Sequence, residues 1–315
     1  MNVVVFGASG LAGYHAAVAF RARGHHVSAF YHQRKPRLPG AELHPVDASD
    51  PESVVAPLLS LFPDIIVNAA AVSSPGAVDV DPEGAEKLNV ALPRRLAQVA
   101  NHLGGRLIHL STDMVFDGTA GPYRSSDKPC PHGLYGQTKL LAEREVLKNG
   151  QAHATVLRIP ILTGDSPSGE RSVHEKLFQS LARGDRPTLY TDEIRQPLAA
   201  ANLGEVMVEL AERGNLSGLF HWAGNEALSR YDMGQRILAH FSLPEALIQQ
   251  ATVPPGRPKD LRFELHPLRG KLKTPLESFD QQLKTMTLPA SCREWYATQT
   301  GREAPLPRLR EGIDF

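Results

Sequence analysis

Short apolar runs rich in β-branched residues alternate with longer amphipathic stretches from the N-terminus to about residue 160. A strand covered on both faces reads as a continuous apolar run, whereas a surface helix shows one apolar stripe. The pattern predicts strands at 3–6, 27–31, 65–68, 107–110 and 155–158, with a short one at 42–46. Helices are expected at 11–23, 51–62, 82–103 and 134–148. Such alternation gives a parallel sheet with helices on both faces, a doubly wound α/β architecture. Pro51 suits a first helical turn with Asp50 as its cap, and Pro93 should kink or restart the third helix.

After Pro160 the alternation stops. A loop is expected at 164–169, followed by helices and short strands in mixed order. Asn202 and Ser229 stand where they would cap helices at 203–213 and 230–240. Residues 253–277 are rich in proline and basic side chains, which fits either a solvated loop or a wall around a ligand. The tail, 305–315, should be irregular. This divides the chain into a Rossmann-type nucleotide-binding domain, 1–165, and a smaller mixed α/β substrate-binding domain, 166–315, with part of 186–222 returning to pack on the sheet.

Composition narrows the classes of partner. The chain has 315 residues, with 34 Lys+Arg against 34 Asp+Glu, so no global field attracts nucleic acid or an anionic membrane. No apolar run approaches the ~18 residues of a membrane span. With a core strand predicted at the N-terminus, no signal peptide is expected. Cys130 and Cys292 are far apart and are expected as free thiols of a reduced, cytoplasmic protein. The histidines form no metal-ligand spacing, so no metal is expected.

Three glycines spaced three apart, Gly7, Gly10 and Gly13, close the first strand and open the first helix. The first allows a tight turn, the second lets backbone approach a pyrophosphate, and the third lets helix pack on strand. The helix N-terminus, with Ser9 and Leu11 beside it, offers N–H groups and the positive end of a dipole to phosphates. NAD specificity usually places a carboxylate about 20 residues beyond such glycines. Here that region holds Arg34 and Lys35 and no acid, which favours NADP(H) over NAD(H), the two cations neutralising a 2′-phosphate.

The candidate chemistry follows from Ser111-Thr112-Asp113 and Tyr135-Gly136-Gln137-Thr138-Lys139. Tyrosine and lysine four apart share one helix face. The phenol can supply a proton to a carbonyl oxygen, the ammonium lowers its pKa, and a hydroxyl on the preceding strand can hold that oxygen. Ser111 and Thr112 face opposite sides of a strand, so only one reaches the site; a role in capping local backbone is expected for Ser111.

In this order, the glycine loop, Asn68-Ala69-Ala70-Ala71, Ser-Thr-Asp and Tyr-x-x-x-Lys resemble the extended short-chain dehydrogenase/reductase superfamily. The stretch from Leu110 to Gly118 together with the Tyr135 motif is similar to the dTDP-4-dehydrorhamnose reductase branch, which also contains regulatory beta subunits of methionine adenosyltransferase. The likeness covers about residues 1 to 165. It implies Thr112, Tyr135 and Lys139 as catalytic residues, with Lys139 also hydrogen-bonding the nicotinamide ribose. It further implies cofactor contacts from Ala69, Ala70, Ala71, Tyr135 and Pro160, and an adenine contact from Asp47, which could equally cap the following turn. It also implies a supporting asparagine at Asn89, for which a solvated helix position is the alternative. The substrate would meet Thr112, Asp113, Met114 and Ile161, with Arg195, Arg257 and Lys259 candidates for its anionic end. The branch usually has tyrosine at Met114, glutamate at Ser125 and an aromatic residue after the sixth strand, where Ile161 stands. These departures suit a substrate different from, or less sugar-like than, the branch's own. The expected function is NADPH-dependent reduction of a keto group, most simply on a nucleotide-linked sugar, by a chain that could pair as a homodimer. A regulatory subunit without turnover, a nucleotide-sugar epimerase or dehydratase, and a reductase of a non-sugar metabolite are the alternatives.

Overall fold

The computed structural model describes residues 1–303; the expected irregular tail lies outside the described residues. Seven strands form the central sheet: β1 (Asn2–Phe6), β2 (His26–Tyr31), β3 (Glu42–Pro45), β4 (Ile65–Asn68), β5 (Arg106–Thr112), β6 (Ala154–Ile159) and β7 (Gly218–His221). Their spatial order is β7-β6-β5-β4-β1-β2-β3, and every neighbouring pair is parallel. The chain winds outward from β1 in one direction and from β4 in the other. The direction of winding reverses between β1 and β4, and doubly wound sheets bind ligands beyond the C-terminal ends of the strands at such a reversal.

The continuous apolar runs are explained by the two-sided cover. Along β1 and β4, Val3, Val5, Ile65 and Val67 point to one face, and Val4, Phe6 and Ile66 to the other. The first face packs against α1 (Leu11–Ala22), and the second against α2 (Val55–Leu61), α3 (Leu92–Leu103) and α4 (Gly133–Gly150). Past α5 (Val173–Ala182), the chain returns through α6 (Ala200–Glu212), which lies beside α1 and adds Leu203, Val206, Met207 and Leu210 to the first face. β7 then pairs with β6 at the sheet edge. A separate core joins Phe178 of α5, Met233 and Ile237 of α7 (Arg230–His240), and Phe279, Leu283 and Tyr296.

Several expectations change. Residues 51–54 form a turn, so the second helix is only Val55–Leu61, and Asp50 holds that turn by accepting from the Glu52 N–H at 3.0 Å. The third helix is three pieces: Pro82–Glu86, a π-helical segment Lys87–Ala91, and α3, in which Pro93 is the second residue. A proline ring has no N–H to donate four residues back, and the chain restarts around it. A further helix, Pro75–Val80, is capped by Ser74. Asn202 is no cap. It lies buried inside α6, accepting from the Trp222 indole N–H at 2.9 Å and donating to Pro275 O at 2.8 Å. Ser229 does cap its helix, in a reciprocal pair with Asp232.

The proline-rich stretch after residue 253 is stitched to the fold. Tyr123 donates to Arg262 O and accepts from the Glu264 N–H, both at 2.7 Å. Asp165, His174 and Glu175 lie within metal-ligand reach of one another. Their polar atoms are already used by the protein: Asp165 accepts from Thr287, and Glu175 accepts from Ser166, Arg171 and Ser172. Cys130 is exposed and Cys292 buried, both free thiols. Among the described residues, no helix is long and apolar enough to cross a membrane.

Candidate functional site

The glycine turn forms a cradle because side chains do not fit there. Gly7 has φ +78°, and a Cβ on it would lie 2.7 Å from Ala70 N and 2.8 Å from the Ala69 carbonyl. A Cβ on Gly13 would lie 2.3 Å from Gly7 O. Gly10 caps α1 without a side chain, and the first turn carries no acid. Ser9 is half-buried and Leu11 buried beside it, while Ala69, Ala70 and Ala71 form the facing wall as half-buried residues. Free N–H groups at a helix N-terminus suit a diphosphate, so these residues fit a dinucleotide.

Arg34 and Lys35 are exposed beyond β2. Arg34 pairs with Glu170 at 3.2 Å, which ties the end of β2 to the loop after β6. Asp47 caps its own turn, accepting from Ser49 N at 3.0 Å and Ser49 Oγ at 2.6 Å, and these bonds hold its carboxyl below the ordinary range. Asn89 is buried rather than solvated. It accepts from Val72 N at 2.8 Å and donates to Val72 O and Thr138 Oγ1, so it fastens the loop after β4 to α4.

Thr112 ends β5 and Tyr135 lies in the first turn of α4, with the Thr112 hydroxyl near enough to act on the phenol's ionisation. Burial pushes Tyr135 up to about 12; the Thr112 hydroxyl works against this and the Asp113 charge adds to it. Lys139, one turn further along α4, is buried, and burial pushes it down to about 8 against the pull of Glu143. Its Nζ donates to Leu110 O at 2.6 Å. Thr112 Oγ1 also accepts from Met114 N and donates to Asp113 Oδ1, each at 3.2 Å. Ser111 does not cap backbone: its hydroxyl donates to Glu143 Oε1 at 2.5 Å on the opposite face. Pro160 is buried at the end of β6. Met114 packs on the cluster of Phe116, Tyr123 and Phe263, and Ile161 on the C-terminal core.

The cations expected at the substrate's anionic end are already engaged. Arg195 donates to Ile194 O, Lys259 O, Pro258 O and Glu193, with its Nε 3.8 Å from Asp113. Arg257 pairs with Glu193 at 3.0 Å, and Lys259 with Asp192 at 2.8 Å. Burial pushes Asp113 up to about 6 despite Arg195. The cation that the sequence did not reveal is Arg230, the first residue of α7. Its Nη1 is shielded from solvent and has no partner among the described residues. Burial pushes it down to about 10; Glu193 opposes this, while Arg195 and Arg257 reinforce it. The cap at Ser229 was the nearest sequence signal, and it explains only the helix start.

The family model described as the RmlD substrate binding domain matches residues 1–291. The methionine adenosyltransferase 2 subunit beta of Rattus norvegicus is 33% identical over 273 residues, 84% of this chain and 80% of that protein. The probable low-salt glycan biosynthesis reductase Agl14 of Haloferax volcanii is 32% identical over 280 residues, 86% of this chain and 92% of that protein. Among solved structures, a hypothetical dTDP-4-dehydrorhamnose reductase from Sulfolobus tokodaii is similar with a TM-score of 0.76 at 26% identity, covering 88% of this chain and 97% of that one.

Proposed function

Since the chain belongs to the RmlD substrate binding domain family, we propose that it is an NADPH-dependent carbonyl reductase acting on the keto group of a nucleotide-linked sugar or a related anionic metabolite. The observation that carries this reading is the placement of Thr112 at the end of β5 beside Tyr135 in the first turn of α4, with buried Lys139 one turn away on the same helix. A dinucleotide held by its diphosphate at Gly7–Gly13 would supply the hydride from its dihydronicotinamide. Tyr135 gives its proton to the carbonyl oxygen, Thr112 holds that oxygen, and the Lys139 ammonium stabilises the phenolate left behind. Arg230, with an unpartnered Nη1, meets the substrate's anionic group.

NADPH oxidation measured against a panel of 4-keto nucleotide sugars tests the proposal, and turnover with at least one is expected. Tight NADPH binding with no turnover would favour a regulatory role, which the 33% identity to an adenosyltransferase beta subunit supports.

Two further outcomes are expected. Arg34→Ala lowers affinity for NADPH but not NADH by about ten- to a hundredfold, the worth of one charge-assisted hydrogen bond, read as paired dissociation constants. The reaction also slows at alkaline pH. Lys139 must be charged, and burial has lowered its pKa to about 8. Protonation is complete below that value and lost above it, so kcat/KM falls by about tenfold per pH unit above the midpoint. A profile flat through pH 9 contradicts this.

A further inference from the structure

A chain of hydrogen bonds beneath the site fixes where one proton sits. The Ala70 N–H, which can only donate, gives its hydrogen to Asn68 Oδ1 at 3.1 Å. The Asn68 amide is thereby turned so that Nδ2 faces His109 Nδ1, 3.1 Å away. The sheet sets this alignment, since Asn68 and His109 are register partners on β4 and β5. Both are 1% exposed, and Lys139 is 3% exposed. Burial, with the Lys139 charge, holds His109 well below its ordinary pKa, so the ring is neutral and carries one hydrogen. With an amide N–H donating to Nδ1, that hydrogen is on Nε2. His109 Nε2 lies 3.4 Å from Lys139 Nζ. An ammonium has three donors and no acceptor, whereas an amine has a lone pair to receive this N–H.

We propose that His109 is a positioning residue for Lys139: locked as its Nε2–H tautomer, it points a donor at Nζ, accommodates the amine and opposes the ammonium. The lock runs from the Ala70 backbone, in the wall of the glycine cradle, through Asn68 to the imidazole. Among the charged and titratable groups, Glu143 on its own helix and His109 on β5 interact with Lys139, Tyr135 precedes it by one turn of that helix, and Arg158 on β6 is matched by Glu143 at 2.7 Å. Of these, Glu143 favours the charged form of Lys139, and the His109 N–H works against it. Lys139 is thereby brought close to the pH at which it can exchange a proton.

Two measurements on the cofactor-free protein test this, and neither depends on turnover. They therefore stand or fall separately from the reductase reading. In protein carrying 15N-histidine, the ring shifts of His109, assigned by their loss in His109→Gln or His109→Phe, should show hydrogen on Nε2 and a bare Nδ1. Hydrogen on Nδ1 overturns the proposal. In protein carrying 13Cε-lysine, the Lys139 midpoint is compared between the native chain and His109→Phe. A phenyl ring deepens burial, which by itself lowers the midpoint further. Removing the opposed N–H raises it, and the rise should be about one pH unit, tenfold in the acid constant. An unchanged or lower midpoint overturns the proposal; should one variant not fold, the native tautomer, assigned with the other, decides.

Discussion

Tyr135→Phe should lower kcat for NADPH-dependent reduction by about a thousandfold, within the 10²–10⁴ range for a positioned proton donor. The substitution removes one oxygen and leaves the ring packed in the first turn of α4. Thr112 keeps its bonds to Asp113 and Met114, so the strand end stays in place. Affinity for NADPH should change by less than about twofold, because the cradle around Gly7 and Gly13 is untouched. A Tyr135 pushed up to about 12 is protonated at every working pH, so it is held ready as an acid. Single-turnover kinetics separate the step from product release. Turnover equal to the native rate would remove Tyr135 from the mechanism.

The second large effect concerns stability. Arg158 and Glu143 meet beneath the site as a bidentate pair, Nε to Oε1 at 2.8 Å and Nη2 to Oε2 at 2.7 Å, with the Ser111 hydroxyl on Oε1. Both are almost wholly buried. Glu143→Gln keeps the volume but leaves a guanidinium in the interior with the Phe116 ring 5.0 Å away and a neutral His221 as its remaining neighbours. Burial and the Arg158 charge push His221 down to about 3, so the ring stays neutral and supplies no compensating charge. A broken buried pair of this kind costs about 3–5 kcal/mol, to be read from urea unfolding. Adding Arg158→Met should restore most of the loss, since the cost lies in the uncompensated charge. The same variant removes the group that raises Lys139's pKa, so the alkaline limb of the rate should move to lower pH. Stability unchanged in Glu143→Gln would show that the pair is not closed to water.

What the sequence disclosed has a common physical basis. The glycine turn and the tyrosine–lysine face are local: each lies within one or two adjacent elements, where spacing alone fixes geometry. β1 and β4 were legible because strands covered on both faces need unbroken apolar runs. β7 was not placed as a strand, although part of 186–222 was expected to return to the sheet. Gly218-Leu-Phe-His has no such run, and its place beside β6 depends on α6 and the 58 residues between Ile159 and Gly218. Asn202 looked like a cap because its preference for helix starts is local, whereas its bond to Trp222 spans 20 residues. Arg230 and the Asn68–His109–Lys139 chain stayed hidden for the same reason. Their meaning comes from partners, or from a missing partner, that only the folded sheet defines.

The π-helical segment Lys87–Ala91 carries one consequence beyond its role in restarting the helix at Pro93. Relative to an α-helix, such a segment is a single extra residue absorbed without breaking the element. Each residue of an α-helix turns the chain by about 100°, so the extra one decides which side chain faces α4, and here it is Asn89. Shortening this stretch by one position would rotate Asn89 off Val72 and Thr138 while leaving every side chain chemically intact. In lineage terms, the loop above β4 is held by a length of chain as much as by a residue. An insertion or deletion could therefore loosen it where no substitution would be seen.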